Sequence, residues 1–295
     1  MTNSKPFTPI APTIAGAIAD TRRPRIKLPP GSCDCHAHVF GPQQQYPFAP
    51  GYTYVPPEAN VDSYLKMLRT IGCERGVVVH PTVYGTNNQC TMDALRAGKS
   101  ALRGIAVIDE TVTDEQLEDM HQAGIRGIRL HPKVKDWSEV LKEGTRLAAR
   151  IKPRGWHIQV FFDIRAMPEI EKPLTQLPVD VVIDHFSLAS VADGIPGASF
   201  QALLRLARHE RCWFKLMGPY RLSKQAPMYA DVIPFARALL AEAPERCVWG
   251  TDWPHPNAHR IPDDGDLADI VSDWIPDAAL LQKVMVDNPA RLYGF

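Results

Sequence analysis

Short apolar runs alternate with longer amphipathic stretches from about residue 32 to the end of the chain. Residues 77–79 and 181–183 are apolar at every position, so both faces of these strands are expected to be buried under helices. The stretches between the runs repeat apolar residues at helical spacing. Eight such strand–helix units predict an α/β fold, a closed (β/α)8 TIM barrel.

The predicted elements alternate along the whole barrel. The strands are residues 32–40, 75–81, 103–109, 124–131, 157–162, 180–187, 212–218 and 247–254. The helices are residues 61–71, 91–99, 113–123, 137–152, 167–176, 200–209, 229–242 and a segment from 267 onward. An open doubly wound sheet is the alternative, but no Gly-rich phosphate loop follows the first strand. Residues 1–30 are predicted to be an N-terminal arm and residues 31–295 a single barrel domain.

Composition narrows the classes of function. The chain has 33 basic and 33 acidic residues, a net charge of +0, so no global charge favours nucleic acid or anionic lipid. No apolar run approaches the roughly 18 residues of a membrane-spanning helix, and we expect no signal peptide. Six cysteines in 295 residues predict reduced thiols and a cytoplasmic protein. A monomer and a homo-oligomer both remain open.

The candidate chemistry lies at the ends of three predicted strands. Active sites of TIM barrels form at the carboxyl ends of the strands. The first strand ends with His36 and His38, the sixth with His185, and the eighth with Asp252. Because barrel closure makes the eighth strand a neighbour of the first, Asp252 is expected beside the histidine pair.

Positive side chains are predicted at the same rim. Arg129 lies on the fourth strand, Lys133 just beyond it, and Arg221 after the seventh strand. In a chain without net charge, this local excess predicts an anionic substrate, and arginine suits bidentate contact with a carboxylate or sulfonate. Tyr54 belongs to a long loop, residues 41–60, that is predicted to cover the site.

Several motifs together resemble the amidohydrolase superfamily, and within it the lactonase branch of 2-pyrone-4,6-dicarboxylate hydrolase and 4-sulfomuconolactone hydrolase. The resemblance runs from about residue 30 to the end. Its pieces are residues 34–42, 85–88, 126–129, 182–185, 288–293 and, most specific, WGTDWPHP at 249–256. It implies hydrolysis of a small anionic lactone in aromatic-compound degradation. Decarboxylases with this barrel leave a metal-dependent lyase acting on an aromatic or unsaturated acid as the alternative.

The resemblance also implies roles for single residues. Asp252 corresponds to the general base that activates water, whereas the three histidines polarise the lactone carbonyl or hold a metal. The residues expected to contact substrate are Arg129, Arg221, Tyr54, Thr82, His255 and Lys133. For His255, orientation of Asp252 is a second possible role.

The two-metal pattern of the superfamily is incomplete in this sequence. The bridging lysine of the fourth strand is missing, with Arg129 near its place, and the fifth strand ends in Phe161 rather than histidine. A binuclear site is therefore not expected. The expectation is one divalent metal, Zn²⁺ by its ligand types, or none. The residues that would hold a single ion are His36, His38, His185 and Asp252.

Overall fold

Eight parallel strands form the barrel that the hydrophobic pattern predicted. The computed structural model describes residues 11–130, 137–167 and 169–295. The strand order follows the chain order, and each strand pairs in parallel with the next. The strands are β1 Cys33–Ala37, β2 Arg75–Val79, β3 Leu102–Ala106, β4 Ile125–Leu130, β5 His157–Val160, β6 Val181–Ile183, β7 Cys212–Leu216 and β8 Cys247–Trp249.

Helices connect the strands and cover the outside of the barrel. They are α1 Val61–Ile71, α2 Gln89–Gly98, α3 Asp114–Ala123, α4 Trp137–Ile151, α5 Glu171–Thr175, α6 Ala198–Ala207, α7 Ile233–Glu242, α8 Asp264–Asp269, α9 Val271–Trp274, α10 Ala278–Gln282 and α11 Asn288–Tyr293. The bounds of α1 are those predicted, because its apolar face is regular and Asn60 caps its first turn by accepting from the backbone N–H of Ser63.

Two predicted helices differ most from the observed ones, whereas the others differ by at most a few residues at their ends. The segment predicted at 167–176 contains only the short α5, which begins just before Pro173, since proline is tolerated in a first turn but not deeper in a helix. The single helix predicted from residue 267 is instead a series of short helices that begins with α8 at Asp264.

The strands are shorter than predicted at their carboxyl ends. Strand β6 ends at Ile183 and β8 at Trp249, and the chain then turns out of the sheet. His185 and Asp252 adopt left-handed backbone conformations there, with φ of 52° and 69°. Such conformations are uncommon for residues other than glycine and cluster at functional sites. The turns carry both side chains to the carboxyl end of the barrel.

The barrel closes just beyond β8. The backbone N–H of Asp252 donates to the carbonyl of His36 at 2.9 Å, and that of His38 donates to the carbonyl of Trp253 at 2.7 Å. Gly250 permits this approach, because a Cβ at this position would lie 2.9 Å from the backbone nitrogen of His36. We refer to this junction between β1 and residues 250–253 as the closing seam.

The described part of the N-terminal arm runs along the barrel. Ile14 donates its backbone N–H to Val55 at 3.0 Å, and Arg22 and Arg25 bind the buried carboxylate of Asp269 on α8. The division into an arm of residues 1–30 and a barrel of residues 31–295 stays a prediction.

The interior of the barrel is mainly aliphatic, with Val77, Ile105 and Val182 among its fully buried side chains. All six cysteines are buried and free. Within the described ranges, no helix is both long enough and apolar enough to cross a membrane.

Candidate active site

Three strand ends bring His36, His38, His185 and Asp252 together at the carboxyl end of the barrel. The Nε2 atoms of His36 and His38 lie 3.3 Å apart. Asp252 Oδ1 lies 3.7 Å from Nε2 of His36, 3.5 Å from that of His38 and 3.9 Å from that of His185. All four side chains are buried. The residues that the sequence placed together are thus neighbours around one carboxylate oxygen.

The ring of His38 has a fixed tautomer. Its Nδ1 lies 2.8 Å from the carbonyl oxygen of Val79, which can only accept a hydrogen bond. Nδ1 therefore carries a proton, and in the neutral ring Nε2 is the atom with the lone pair, facing Asp252 and His36. This backbone contact is the kind of outer interaction that orients histidines at metal and catalytic sites.

The two oxygens of Asp252 have different environments. Oδ2 accepts hydrogen bonds from the Tyr220 hydroxyl at 2.5 Å and from Arg221 Nη2 at 2.6 Å. Oδ1 is buried and has no hydrogen-bond partner among the described residues. Burial favours the neutral acid, but the positive charge of Arg221 outweighs it and holds the pKa of Asp252 well below its usual value. Asp252 is therefore an ionised carboxylate with one oxygen available.

Tyr220, His255 and Asp264 extend this arrangement behind the site. His255 Nδ1 lies 3.3 Å from the Tyr220 hydroxyl, and its Nε2 lies 3.1 Å from Asp264 Oδ1. His255 is fully buried and does not line the cavity. His255 therefore lies behind Tyr220, which itself contacts Asp252, and both of its predicted roles stay predictions.

A cavity of about 100 Å³ lies at the carboxyl end of the barrel, and Asp252 forms part of its wall. Among the residues that line it are seven of the predicted site residues: His38, Tyr54, Thr82, Arg129, His185, Arg221 and Asp252. His36 lies beneath the wall, and Lys133 falls outside the described residues. Two larger cavities, of about 460 and 450 Å³, lie elsewhere. We place the site in the smaller one because it adjoins the candidate metal-ligand cluster of the described chain.

A buried polar network under the site was missed by sequence reasoning. Lys215 Nζ donates to Gln159 Oε1 at 2.7 Å, and Gln159 Nε2 donates to Asp184 Oδ2 at 2.8 Å. Lys215 Nζ also lies 3.2 Å from Nδ1 of His36. All four side chains are fully buried. The available signal was a lysine inside the otherwise apolar strand β7 and a glutamine between Ile158 and Val160 in β5.

Electrostatics keep His36 and His185 neutral and Asp184 ionised. Burial lowers the pKa of His185 to about 3 and, with the nearby Lys215 charge, lowers the pKa of His36 well below its usual value. Burial opposes ionisation of Asp184, but Lys215 outweighs it and lowers the pKa of this carboxyl. Arg129 Nη2 lies 3.6 Å from Asp184 Oδ2, so Arg129 joins the cavity wall to the buried network.

The donor atoms of three residues fit one divalent ion. His36 Nε2, His38 Nε2 and Asp252 Oδ1 all lie within 4.8 Å of one another. Ligand atoms around tetrahedral zinc, with bonds of about 2.0–2.2 Å, lie roughly 3.3–3.6 Å apart. The observed separations are 3.3, 3.5 and 3.7 Å, and the unpartnered Oδ1 of Asp252 has the free lone pairs that a ligand needs.

Comparisons with known proteins agree with the fold. A family model described as amidohydrolase matches residues 33–295. A Comamonas testosteroni protein named 2-pyrone-4,6-dicarboxylate hydrolase is 38% identical over 287 residues, which cover 93% of this chain and 94% of that protein. A 4-sulfomuconolactone hydrolase from Rhizobium radiobacter is 37% identical over 290 residues, 96% of each chain. An Acinetobacter baumannii structure with bound citric acid, described as a probable 2-pyrone-4,6-dicarboxylic acid hydrolase, superposes with a TM-score of 0.75 at 27% identity, covering 90% of this chain and 100% of that one.

Proposed function

This chain belongs to the amidohydrolase family, and from that premise we propose that it hydrolyses a small anionic lactone in aromatic-compound degradation. The substrate class is that of 4-sulfomuconolactone and 2-pyrone-4,6-dicarboxylate. The observation that carries the proposal is the ionised Asp252, whose unpartnered Oδ1 faces three imidazoles beside a cavity. The two relatives compared are named lactone hydrolases, so the decarboxylase alternative is not favoured.

Asp252 is the proposed general base. Its Oδ2 is held by Tyr220 and Arg221, so Oδ1 keeps a fixed direction toward the cavity. A water molecule between Oδ1 and the lactone carbonyl would give its proton to Asp252 as it attacks the carbonyl carbon. When the tetrahedral intermediate collapses, the ring C–O bond breaks and the proton passes from Asp252 to the leaving oxygen.

The remaining groups bind and polarise the substrate. His38 and His185 line the cavity on either side of Asp252 and are the proposed partners of the oxygen on which charge develops. Arg129 and Arg221 are the proposed contacts of the anionic substituent, with Tyr54 and Thr82 completing the wall. Binding the anionic group at this rim orients the ring for attack.

A single divalent ion, with zinc as the proposed metal, would be held by His36, His38 and Asp252, with His185 beside them. When bound, such an ion supplies a Lewis acid. A binuclear site is not proposed. A cytoplasmic location is proposed on the six free thiols.

The direct test is turnover by Asp252→Asn on a panel of pyrone, muconolactone and sulfomuconolactone substrates. The amide keeps the size of the side chain but cannot accept the proton, so kcat should fall by at least about 10³-fold with the fold retained. Asp266→Asn, on the outer surface of α8, is the matched control and should keep full activity. Near-normal turnover by Asp252→Asn, or release of CO₂ without lactone loss, would end the proposal.

A further inference from the structure

Two oppositely charged groups compete for one nitrogen of His36. Lys215 Nζ lies 3.2 Å from Nδ1, and Asp184 Oδ1 lies 3.5 Å from the same atom. An ammonium group can only donate a hydrogen bond, whereas a carboxylate can only accept one. The two neighbours therefore demand different tautomers of the same imidazole.

Each tautomer gives the site a different chemistry. If Lys215 donates to Nδ1, the ring proton sits on Nε2 and points toward Nε2 of His38, 3.3 Å away. That atom is an acceptor, because His38 carries its own proton on Nδ1. If Asp184 accepts from Nδ1, Nε2 of His36 presents a lone pair instead. Two imidazole lone pairs and a carboxylate oxygen then converge, and such a set requires a cation.

The structure favours the first arrangement. The Lys215 contact is the shorter one and has the distance of a hydrogen bond. Asp184 Oδ1 makes no hydrogen bond among the described residues, although it lies 3.6 Å from Lys215 Nζ. Lys215 is also fixed by Gln159, which leaves it directed at His36. The unpartnered oxygen of Asp184 is nonetheless placed to accept the Nδ1 proton when the ring changes tautomer.

We propose that Lys215 and Asp184 are positioning residues that compete for Nδ1 of His36, and that the outcome decides whether His36, His38 and Asp252 act as a hydrogen-bonded cluster or as metal ligands. Lys215 stabilises the metal-free site, and Asp184 stabilises the metal-bound one. The inference concerns the site of the proposed function but does not depend on which reaction occurs there.

The first test is the tautomer of His36 in the metal-free wild-type protein. Long-range ¹⁵N–¹H spectra of ¹⁵N-histidine-labelled, chelator-treated protein distinguish protonated from unprotonated ring nitrogens. We expect His36 to carry its proton on Nε2 and His38 on Nδ1, with each ring assigned by loss of its signals in His36→Asn or His38→Asn. His38 is the internal control, because a backbone carbonyl fixes its tautomer. A proton on Nδ1 of His36 would overturn the proposal.

The second test is zinc affinity, measured by competition with a chromophoric chelator. Lys215→Met removes the donor and should tighten zinc binding at least about tenfold, because outer contacts of metal-binding histidines change affinity by about 10–100-fold. Asp184→Asn should weaken zinc binding by a similar factor, since Gln159 will bind the amide oxygen and turn the amide NH₂ toward His36.

Unchanged zinc affinity in both folded variants would contradict the proposal, as would changes of the same sign. If Lys215→Met does not fold, the wild-type spectra and the zinc affinity of Asp184→Asn still test the proposal. None of these readouts uses lactone turnover, so failure of the proposed function would leave them unaffected.

Discussion

Arg221 and Asp252 form a partly buried ion pair, in which Arg221 Nη2 donates to Asp252 Oδ2 at 2.6 Å. The same nitrogen donates to the carbonyl of Pro256 at 3.0 Å. The arginine that the sequence assigned to the substrate is therefore bound to the candidate base as well. Its charge keeps Asp252 ionised, and its hydrogen bond holds Oδ2 in place.

Arg221→Met should consequently lower kcat and not only raise KM. Removing the guanidinium raises the pKa of Asp252 and releases one of its two fixed contacts, so we expect a fall in kcat of about 10²-fold. Arg221→Lys keeps the positive charge but not the planar guanidinium group, so its kcat should fall less than that of Arg221→Met. Steady-state kinetics on the best lactone of the panel measure both values. A change confined to KM would show that Arg221 serves the substrate alone.

The metal-free protein should lose stability steeply as the pH falls below about 6.5. Burial lowers the pKa of His80, His157 and His185 to about 3, so the unfolded chain binds three protons that the folded protein does not. His36 adds a fourth, and Asp34, whose pKa burial raises to about 6, offsets one near pH 5. The contribution of these groups to the free energy of unfolding is therefore fully present above pH 6.5 and decreases toward pH 3.

Urea unfolding between pH 7 and pH 4.5 measures this proton uptake. We expect a net uptake of about three protons at pH 5, a slope of roughly 4 kcal/mol per pH unit. His157→Gln should lower the uptake by about one, because neither ring nitrogen of His157 has a hydrogen-bond partner among the described residues. A pH-independent free energy over this range would mean that these histidines are protonated in the folded state.

Asp269 should anchor the N-terminal arm. Its buried carboxylate accepts from the backbone N–H groups of Arg25 at 2.6 Å and Ile26 at 3.2 Å, and from the Arg22 side chain at 2.5 Å. Asp269→Ala leaves these donors unpaired and should cost about 2 kcal/mol of unfolding free energy, with faster proteolysis of the arm. Asp266→Ala removes only a part-exposed contact to Arg22 and should cost less than about 1 kcal/mol. Equal losses of unfolding free energy in the two variants would argue against Asp269 as the anchor of the arm.

Gly250→Ala should disturb the closing seam. The new Cβ would lie 2.9 Å from the backbone nitrogen of His36 and 3.0 Å from its Cβ, so β1 and β8 must separate. We expect a loss of about 1–3 kcal/mol together with a marked fall in kcat. The control is Gly144→Ala on α4, where the added methyl meets only the flexible end of Leu130. Full activity in Gly250→Ala would show that the seam tolerates separation.

The fold was predictable because its pattern is local. Strand runs such as residues 77–79 are apolar on both faces, and α1 has a regular apolar face with a capping Asn60. The strands were predicted to run too far at their carboxyl ends. The left-handed turns at His185 and Asp252 that follow β6 and β8 arise from the site and not from local propensity. Sequence pattern therefore identified the elements better than their ends.

The candidate site was predictable where a strand end carried the residue. His36, His38, His185 and Asp252 all stand at predicted strand ends, and barrel closure places Asp252 beside His36 and His38. Lys215 and Gln159 could not be assigned roles, because their partners come from strands distant in sequence and only the closed barrel shows which side chains meet inside. The contact of Tyr220 could not be predicted either, because the turn that follows β7 is what brings its hydroxyl to Asp252.

The closing seam joins the last strand to the first through the same residues that carry the proposed chemistry. Barrel closure and the proposed chemistry thus depend on the same residues, through their backbone and their side chains respectively. Selection for turnover is then also selection for a closed barrel. A decline in catalytic rate on warming, at temperatures below global unfolding, would then report that the closing seam has loosened.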